Sequence, residues 1–249
     1  MNPYPITGMI LAAGFGTRLQ SVLQGKPKPL IELKSGFTAL DIAVQSFLKM
    51  TQIEQIIINT HYQSQQIEDH LVQYVNSPKQ IIISKEEEIL ETGGGILKAM
   101  TEHYFSPYLV RNADAIFVDT ACNILDILLD AWDDERMDTL LLLVPANTIK
   151  NHRGDFLLHD SGKIIKTEGE NNAIYTGLSI ISPRFFHGEA IHKFSISKIF
   201  FRSTTGNYEN YRFFGIMLPN ATTWYDIGTP TMLAQAQEYI KIHGDVGLQ

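Results

Sequence analysis

Apolar residues in this chain gather in short dense runs, with stretches of helical spacing between them. The run from Met9 to Ala13 predicts a first strand that breaks into a turn holding Gly14 and Gly16. Over 39–50, Leu40, Ala43, Val44, Phe47 and Leu48 recur at the spacing of one helix face. A β-branched run, Gln55 to Asn59, predicts a second strand. A helix is then expected from Ser64 to about Tyr74, with Ile67, Leu71 and Val75 on one side, followed by a strand over Gln80 to Ser84. Strands alternating with helices predict a parallel sheet covered on both faces.

The same alternation continues downstream. Glu91-Thr92-Gly93-Gly94-Gly95 is expected to lead into a helix from Ile96 to Glu102, with free N–H groups at its start. Tyr108 to Asn112 reads as a buried strand, Leu125 to Trp132 as a helix and Thr139 to Val144 as a strand. From Ala146 the pattern changes to a hairpin, Phe156 to Leu158 with Lys163 to Lys166, turned at Asp160-Ser161-Gly162. A strand over Ala173 to Ser182, a short helix over Ser197 to Phe201, a polar loop from Ser203 to Asn207 and a strand over Phe213 to Leu218 follow. Thr229 as N-cap and Pro230 at the first helical position open a last helix, through about Ile240.

The chemistry concentrates behind the first strand. Glycines permit positive φ and bring backbone N–H groups close to a ligand, and Arg18, Lys26 and Lys28 stand just beyond them. Pro27 and Pro29 fix the segment carrying the lysines. The layout suits a polyphosphate. The dinucleotide fingerprint fails, because Leu19 stands where a third glycine or alanine is needed, and the Gly-Lys-Ser/Thr of a Walker loop is missing. A silent glycine turn with surface cations is the competing reading, which the two fixed prolines weaken. Asp114, at the carboxyl end of a central strand, can hold a cation or merely cap a turn. Asp226 is expected in a loop between strand and helix, able to return to the same end of the sheet.

Leu-Ala-Ala-Gly-x-Gly-Thr-Arg-Leu (11–19) followed by Lys-Pro-Lys-Pro-Leu (26–30) resembles the signature of the sugar-1-phosphate nucleotidyltransferases. Trp-x-Asp-x-Gly-Thr (224–229) resembles a second mark of that family. Leu-Glu-Thr-Gly-Gly-Gly-Ile (90–96) and Arg-Gly-Asp-Phe (153–156) are similar to the N-acetylmuramate 1-phosphate uridylyltransferases within it. The resemblance implies an α/β fold, a Rossmann-like three-layer αβα sandwich with a mixed, mostly parallel sheet. The nucleotide-binding core would span about 7–145 and 213–249, with a small sugar-binding insertion over about 146–212. It implies that UTP and a sugar 1-phosphate are joined with release of pyrophosphate. Arg18 and Lys28 would be catalytic, and Asp114 and Asp226 would hold Mg²⁺. Leu11, Ala13, Gly14, Gly16, Thr17, Thr92, Gly93, Gly94 and Asn112 would contact the nucleotide, and Gly154, Asp155, Glu168, Gly177 and Lys193 the sugar phosphate. Ala113 departs from the family's usual glycine, which is tolerated if its φ is negative. Guanylyl, cytidylyl or thymidylyl transfer, or a non-catalytic sugar-nucleotide regulator, remain alternatives.

Composition changes this picture little. A net charge of −7 argues against a general nucleic-acid binder and leaves attraction of anions to local cations. The single cysteine, Cys122, excludes an intrachain disulfide and fits a reducing compartment. No basic residue precedes Arg18, and the Leu140 to Val144 run is too short to span a bilayer. The expectation is a cytoplasmic protein with no membrane partner, monomeric or a small homo-oligomer, in which Asp133, Asp134 and Glu135 form a solvated loop.

Overall fold

Runs that are apolar at every position bury both faces of a sheet. The computed structural model, described over residues 6–103, 106–118, 123–150, 152–165, 171–204, 212–219, 222–244 and 248–249, shows where those faces go. The chain opens with β1 (Ile6–Leu11), the short α1 (Gln20–Leu23), the ribbon β2 (Glu32–Lys34) and β3 (Phe37–Thr38), then α2 (Ala39–Leu48). It continues through β4 (Ile53–Thr60), α3 (Ser64–Leu71), β5 (Gln80–Lys85), α4 (Glu91–Glu102), β6 (Tyr108–Asn112), β7 (Ala115–Val118) and α5 (Ile124–Ala131). The remainder is β8 (Thr139–Pro145), the hairpin β9 (Leu157–Leu158) and β10 (Ile164–Ile165), and β11 (Ala173–Ile181). Last come α6 (Ile196–Thr204), β12 (Phe213–Met217), β13 (Thr223–Asp226) and α7 (Pro230–His243).

Seven strands form the main sheet in the order β12-β8-β11-β6-β1-β4-β5. All its pairings are parallel except those of β11, which runs antiparallel to both β6 and β8. The sheet is therefore mixed and mostly parallel. Successive residues of each run go to opposite layers: Ile10, Ile56, Ile58 and Leu109 pack with α2, α3 and α5, while Met9, Ile57 and Val110 pack with α4 and α6. That period of two makes a three-layer αβα sandwich from runs that look uniform in sequence. A third apolar cluster, with Ile116, Ile227, Leu233 and Ala236, holds the two-stranded ribbon β7–β13 against α7. Within the segment expected as an insertion, β11 is a central strand of the main sheet. No helix among the described residues is long and apolar enough to cross a membrane.

Several boundaries move. The first strand ends at Leu11, so Ala12 and Ala13 belong to the loop. Val75, expected on a buried face, is 78% exposed, because α3 ends at Leu71 and a tighter 3₁₀ turn over Val72–Tyr74 changes the rotation per residue. Asp134 is tied to Arg184 at 3.1 Å, so the acidic cluster is partly a structural clamp. Ser203 and Thr204 are helical. The rest of that predicted loop, like Cys122 and Glu168, lies outside the described residues. Asp226 closes β13 instead of lying in a loop, and neither β7 nor β13 was expected as a strand.

Candidate active site

Strand order reverses beside β1. The chain moves outward from β1 to β4 and β5, then returns to place β6 on the other side. Ligands of open α/β sheets bind at such a reversal, beyond the carboxyl ends of the strands. There Asn59 of β4, Leu11 of β1 and Asn112 of β6 stand in one row. A cleft opens above that row, lined by residues 11–14 and 16–18, by Lys28 and Pro29, by Asn112, Ala113, Asp114 and Gly228, and by Ile89, Glu91 and Thr92. Gly16 shapes its first wall. Its φ is +62°, and a Cβ there would lie 2.9 Å from Lys28 Cβ, so its bare backbone lets the lysine stem pack behind the loop.

The charged groups meet at one end of this cleft. Lys28 Nζ contacts Asp114 Oδ2 in an ion pair whose members are 14% and 24% exposed. Asp226 faces Ala115 across the β7–β13 ribbon, and the Ile227 N–H donates to the Asp114 carbonyl at 3.2 Å. Trp224 Nε1 donates to the Thr176 carbonyl at 3.1 Å and anchors the ribbon to β11. A Cβ on Gly228 would sit 2.7 Å from Arg18 Nη2 and 3.0 Å from Asp226 Oδ1, so guanidinium and carboxylate share the space over that glycine. Burial, and then the charge of Asp114, push the Asp226 carboxyl above its ordinary range, against the opposing pull of Lys28, Arg18 and the Gly228 N–H. Two carboxylates with a mutual electrostatic penalty and hard oxygen donors suit a divalent cation that keeps most of its shell for water and phosphate.

Of the residues anticipated from sequence, Leu11, Ala13, Gly14, Gly16, Thr17, Arg18, Lys28, Thr92, Asn112 and Asp114 line this one cleft. Ala113 is buried and has no positive φ, so the extra methyl is accommodated. Gly177, at φ +85°, lies against Asn112. The glycine triplet behaves differently from expectation. It sits inside the first turns of α4, and the N–H groups of Gly93 and Gly94 both donate to the Phe194 carbonyl, at 3.0 and 3.2 Å. A Cβ on Gly93 would lie 2.3 Å from the Phe194 ring, so these glycines seat the 192–196 segment in place of offering free donors. Lys193 of that segment stands 4.0 Å from Glu91 and is 60% exposed. Asp155 accepts the Tyr175 N–H at 2.9 Å, and Gly154 packs against Asn171.

Sequence reasoning missed Asn59, Ile89, Glu91 and Gly228 in the cleft wall, and Arg111 behind it. Arg111 is wholly buried, donating to Ser46 Oγ at 2.9 Å and the Ala115 carbonyl at 2.7 Å. Burial lowers its pKa to about 9, with the Asp114 charge opposing. An arginine inside the buried run Tyr108 to Asn112 was the available signal.

Residues 8–156 match the family model described as the MobA-like NTP transferase domain. The chain is 33% identical over 192 residues to N-acetylmuramate alpha-1-phosphate uridylyltransferase of Caulobacter vibrioides, covering 74% of this chain and 78% of that one. It is 32% identical over 232 residues to the protein of the same name from Neisseria meningitidis serogroup B, covering 92% and 96%. Among solved structures, UDP-glucose pyrophosphorylase complexed with UDP-glucose superposes with a TM-score of 0.76 at 15% identity, over 96% of this chain and 100% of that one. That likeness establishes the fold.

Proposed function

We propose, for a chain that belongs to the MobA-like NTP transferase family and is one of its sugar-1-phosphate nucleotidyltransferases, that the substrates are UTP and N-acetylmuramate 1-phosphate. The products are the UDP-sugar and pyrophosphate, in a reaction assisted by Mg²⁺ and serving recycling of cell-wall sugars in the cytoplasm. The names of the two relatives support the pair. The observation that carries the chemistry is the gathering of Arg18, Lys28, Asp114 and Asp226 at one end of the cleft.

A sugar-phosphate oxygen forms a bond to the α-phosphorus of UTP as the bond from that phosphorus to the bridging oxygen of pyrophosphate breaks. The nucleophile has a second pKa of about 6, so it is largely ionised at neutral pH and needs no general base. The obstacle is repulsion between two anions, and catalysis reduces to positioning and neutralisation. Arg18 clamps the leaving β- and γ-phosphates with its planar fork. Lys28 stands at the α-phosphate and the incoming phosphate as a point charge. Asp114 and Asp226 would hold Mg²⁺, which when bound would supply positive charge to screen the triphosphate. Backbone of the 11–17 loop, with Thr92 and Asn112, orients the nucleotide. The chain beyond β8, with Gly154, Asp155, Glu168, Gly177 and Lys193, receives the sugar phosphate.

Pyrophosphate release across a matrix of nucleoside triphosphates and sugar 1-phosphates, with Mg²⁺ and with excess chelator, tests this reading. Turnover is expected to be highest for UTP with N-acetylmuramate 1-phosphate and to vanish on chelation. Faster reaction with GTP, CTP or dTTP, or with another sugar, would replace the assigned pair.

A further inference from the structure

We infer that Glu86 is a positioning residue of the nucleotide cleft, holding its two walls in register through Asn59. Glu86 follows β5 and is 2% exposed, whereas its neighbours Glu87 and Glu88 face solvent. Its Oε1 accepts from Asn59 Nδ2 and its Oε2 from the Leu90 N–H, both at 2.8 Å. Asn59 Oδ1 in turn accepts the Ala12 N–H at 2.9 Å. The relay thus joins the loop after β1 to the segment that opens α4, the two sides from which Ala12 and Thr92 line the cleft. The Glu86 carbonyl also accepts from His61 Nδ1 at 2.9 Å, and the His61 ring meets Phe15 of the glycine loop edge-on at 5.6 Å. Gly95 makes room for the arrangement, because a Cβ there would lie 2.5 Å from Glu86 Oε1.

Donor polarity explains why a carboxylate occupies this place. The backbone N–H groups of Ala12 and Leu90 can only donate. Asn59 must therefore turn its oxygen toward Ala12 and its NH₂ toward residue 86. Residue 86 then faces a donor at each end and must accept at both, which glutamate does and glutamine does not. Burying a carboxylate with no ion pair among the described residues is costly unless hydrogen bonds compensate it. These two do so, and they fix the cleft as a by-product of satisfying the charge.

The inference rests on the cleft being the nucleotide site, and its test separates the two. Glu86→Gln keeps the shape but sets one NH₂ against a donor. The paired change Glu86→Gln with Asn59→Asp restores parity. The carboxylate then at position 59 accepts from Ala12 and from the side-chain NH₂ at position 86, whose amide oxygen accepts from Leu90. Measured well below each variant's Tm, Glu86→Gln should raise the KM for UTP about tenfold, the scale of one lost hydrogen bond to a charge, while kcat changes far less. The amides of Ala12 and Leu90 should lose hydrogen-exchange protection in the ligand-free protein, and the paired variant should recover that protection. A parental KM with unchanged protection in Glu86→Gln would overturn the inference, as would a paired variant whose Ala12 and Leu90 amides exchange as fast as those of the single one. If the parent protein turns over no UTP, the substrate assignment fails, and the amide protection still decides the relay.

Discussion

Gly177→Ala couples the fold to the cleft in one substitution. Gly177 lies in β11 where the pairing with β8 shifts register, and its φ is +85°. An alanine in the left-handed region costs about 1–2 kcal/mol. Its Cβ would also lie 2.7 Å from Asn112 Nδ2 and 2.9 Å from Asn112 Cγ, closer than packed atoms allow. Relieving that overlap costs a further 1–3 kcal/mol, roughly, because β6 and β11 are hydrogen-bonded neighbours and cannot part. The total of about 3 kcal/mol corresponds to a fall in Tm of roughly 6–12 °C for a domain of this size. Asn112 lines the cleft, so its displacement should also reduce kcat/KM, by up to about a hundredfold. Urea unfolding of Gly177→Ala, Asn112→Ala and the double variant forms a cycle that isolates the clash, with an expected coupling of about 1–2 kcal/mol. A single variant with parental Tm, or a cycle with no coupling, would refute the reasoning.

Lys28→Ala should lower turnover about a hundredfold, near 3 kcal/mol of transition-state stabilisation, in single-turnover assays. Asp114→Asn and Asp226→Asn should each weaken Mg²⁺ activation, seen as a right-shifted cation titration of initial rate. Burial alone would raise the Asp41 carboxyl, but the Thr38 N–H, the Tyr74 and Thr38 hydroxyls and His70 outweigh it and hold its pKa below the ordinary value. A depressed carboxyl contributes stability above its unfolded pKa of about 3.9 and loses it as pH falls through the folded value. Asp41→Asn should therefore cost about 2 kcal/mol at neutral pH and flatten the acid end of the stability–pH curve, measured by urea unfolding.

The strands of the main sheet were legible because β1, β4, β6 and β8 each carry a dense apolar run, at 9–11, 56–58, 108–110 and 140–144, the pattern of burial on both faces. The glycine loop and the lysine–proline segment were legible because their chemistry is local. The ribbon was not. Ala115–Val118 has the composition of a strand, yet its partner Thr223–Asp226 lies more than a hundred residues away, and no local feature announces the pairing. Sequence could return Asp226 to the same end of the sheet, but it paired that residue with Asp114 only through resemblance. The glycine triplet was misread for a related reason: its close neighbours, Phe194, His192 and Glu86, come from other parts of the chain. Glu86 is one of three consecutive glutamates, and burial alone distinguishes it.

The β7–β13 ribbon has a consequence for biosynthesis. Translation delivers the glycine loop, both lysines and the first acidic residue early, and the parallel strands around β1 are complete long before Thr223–Asp226 emerges. A nascent or truncated chain can own most of the sheet and still lack Asp226, half of the acidic pair beside Lys28 and Arg18. Competence therefore arrives in a single late event, the docking of a four-residue strand. A protease cut between β12 and β13 that releases the tail would silence the protein while leaving most of its sheet in place.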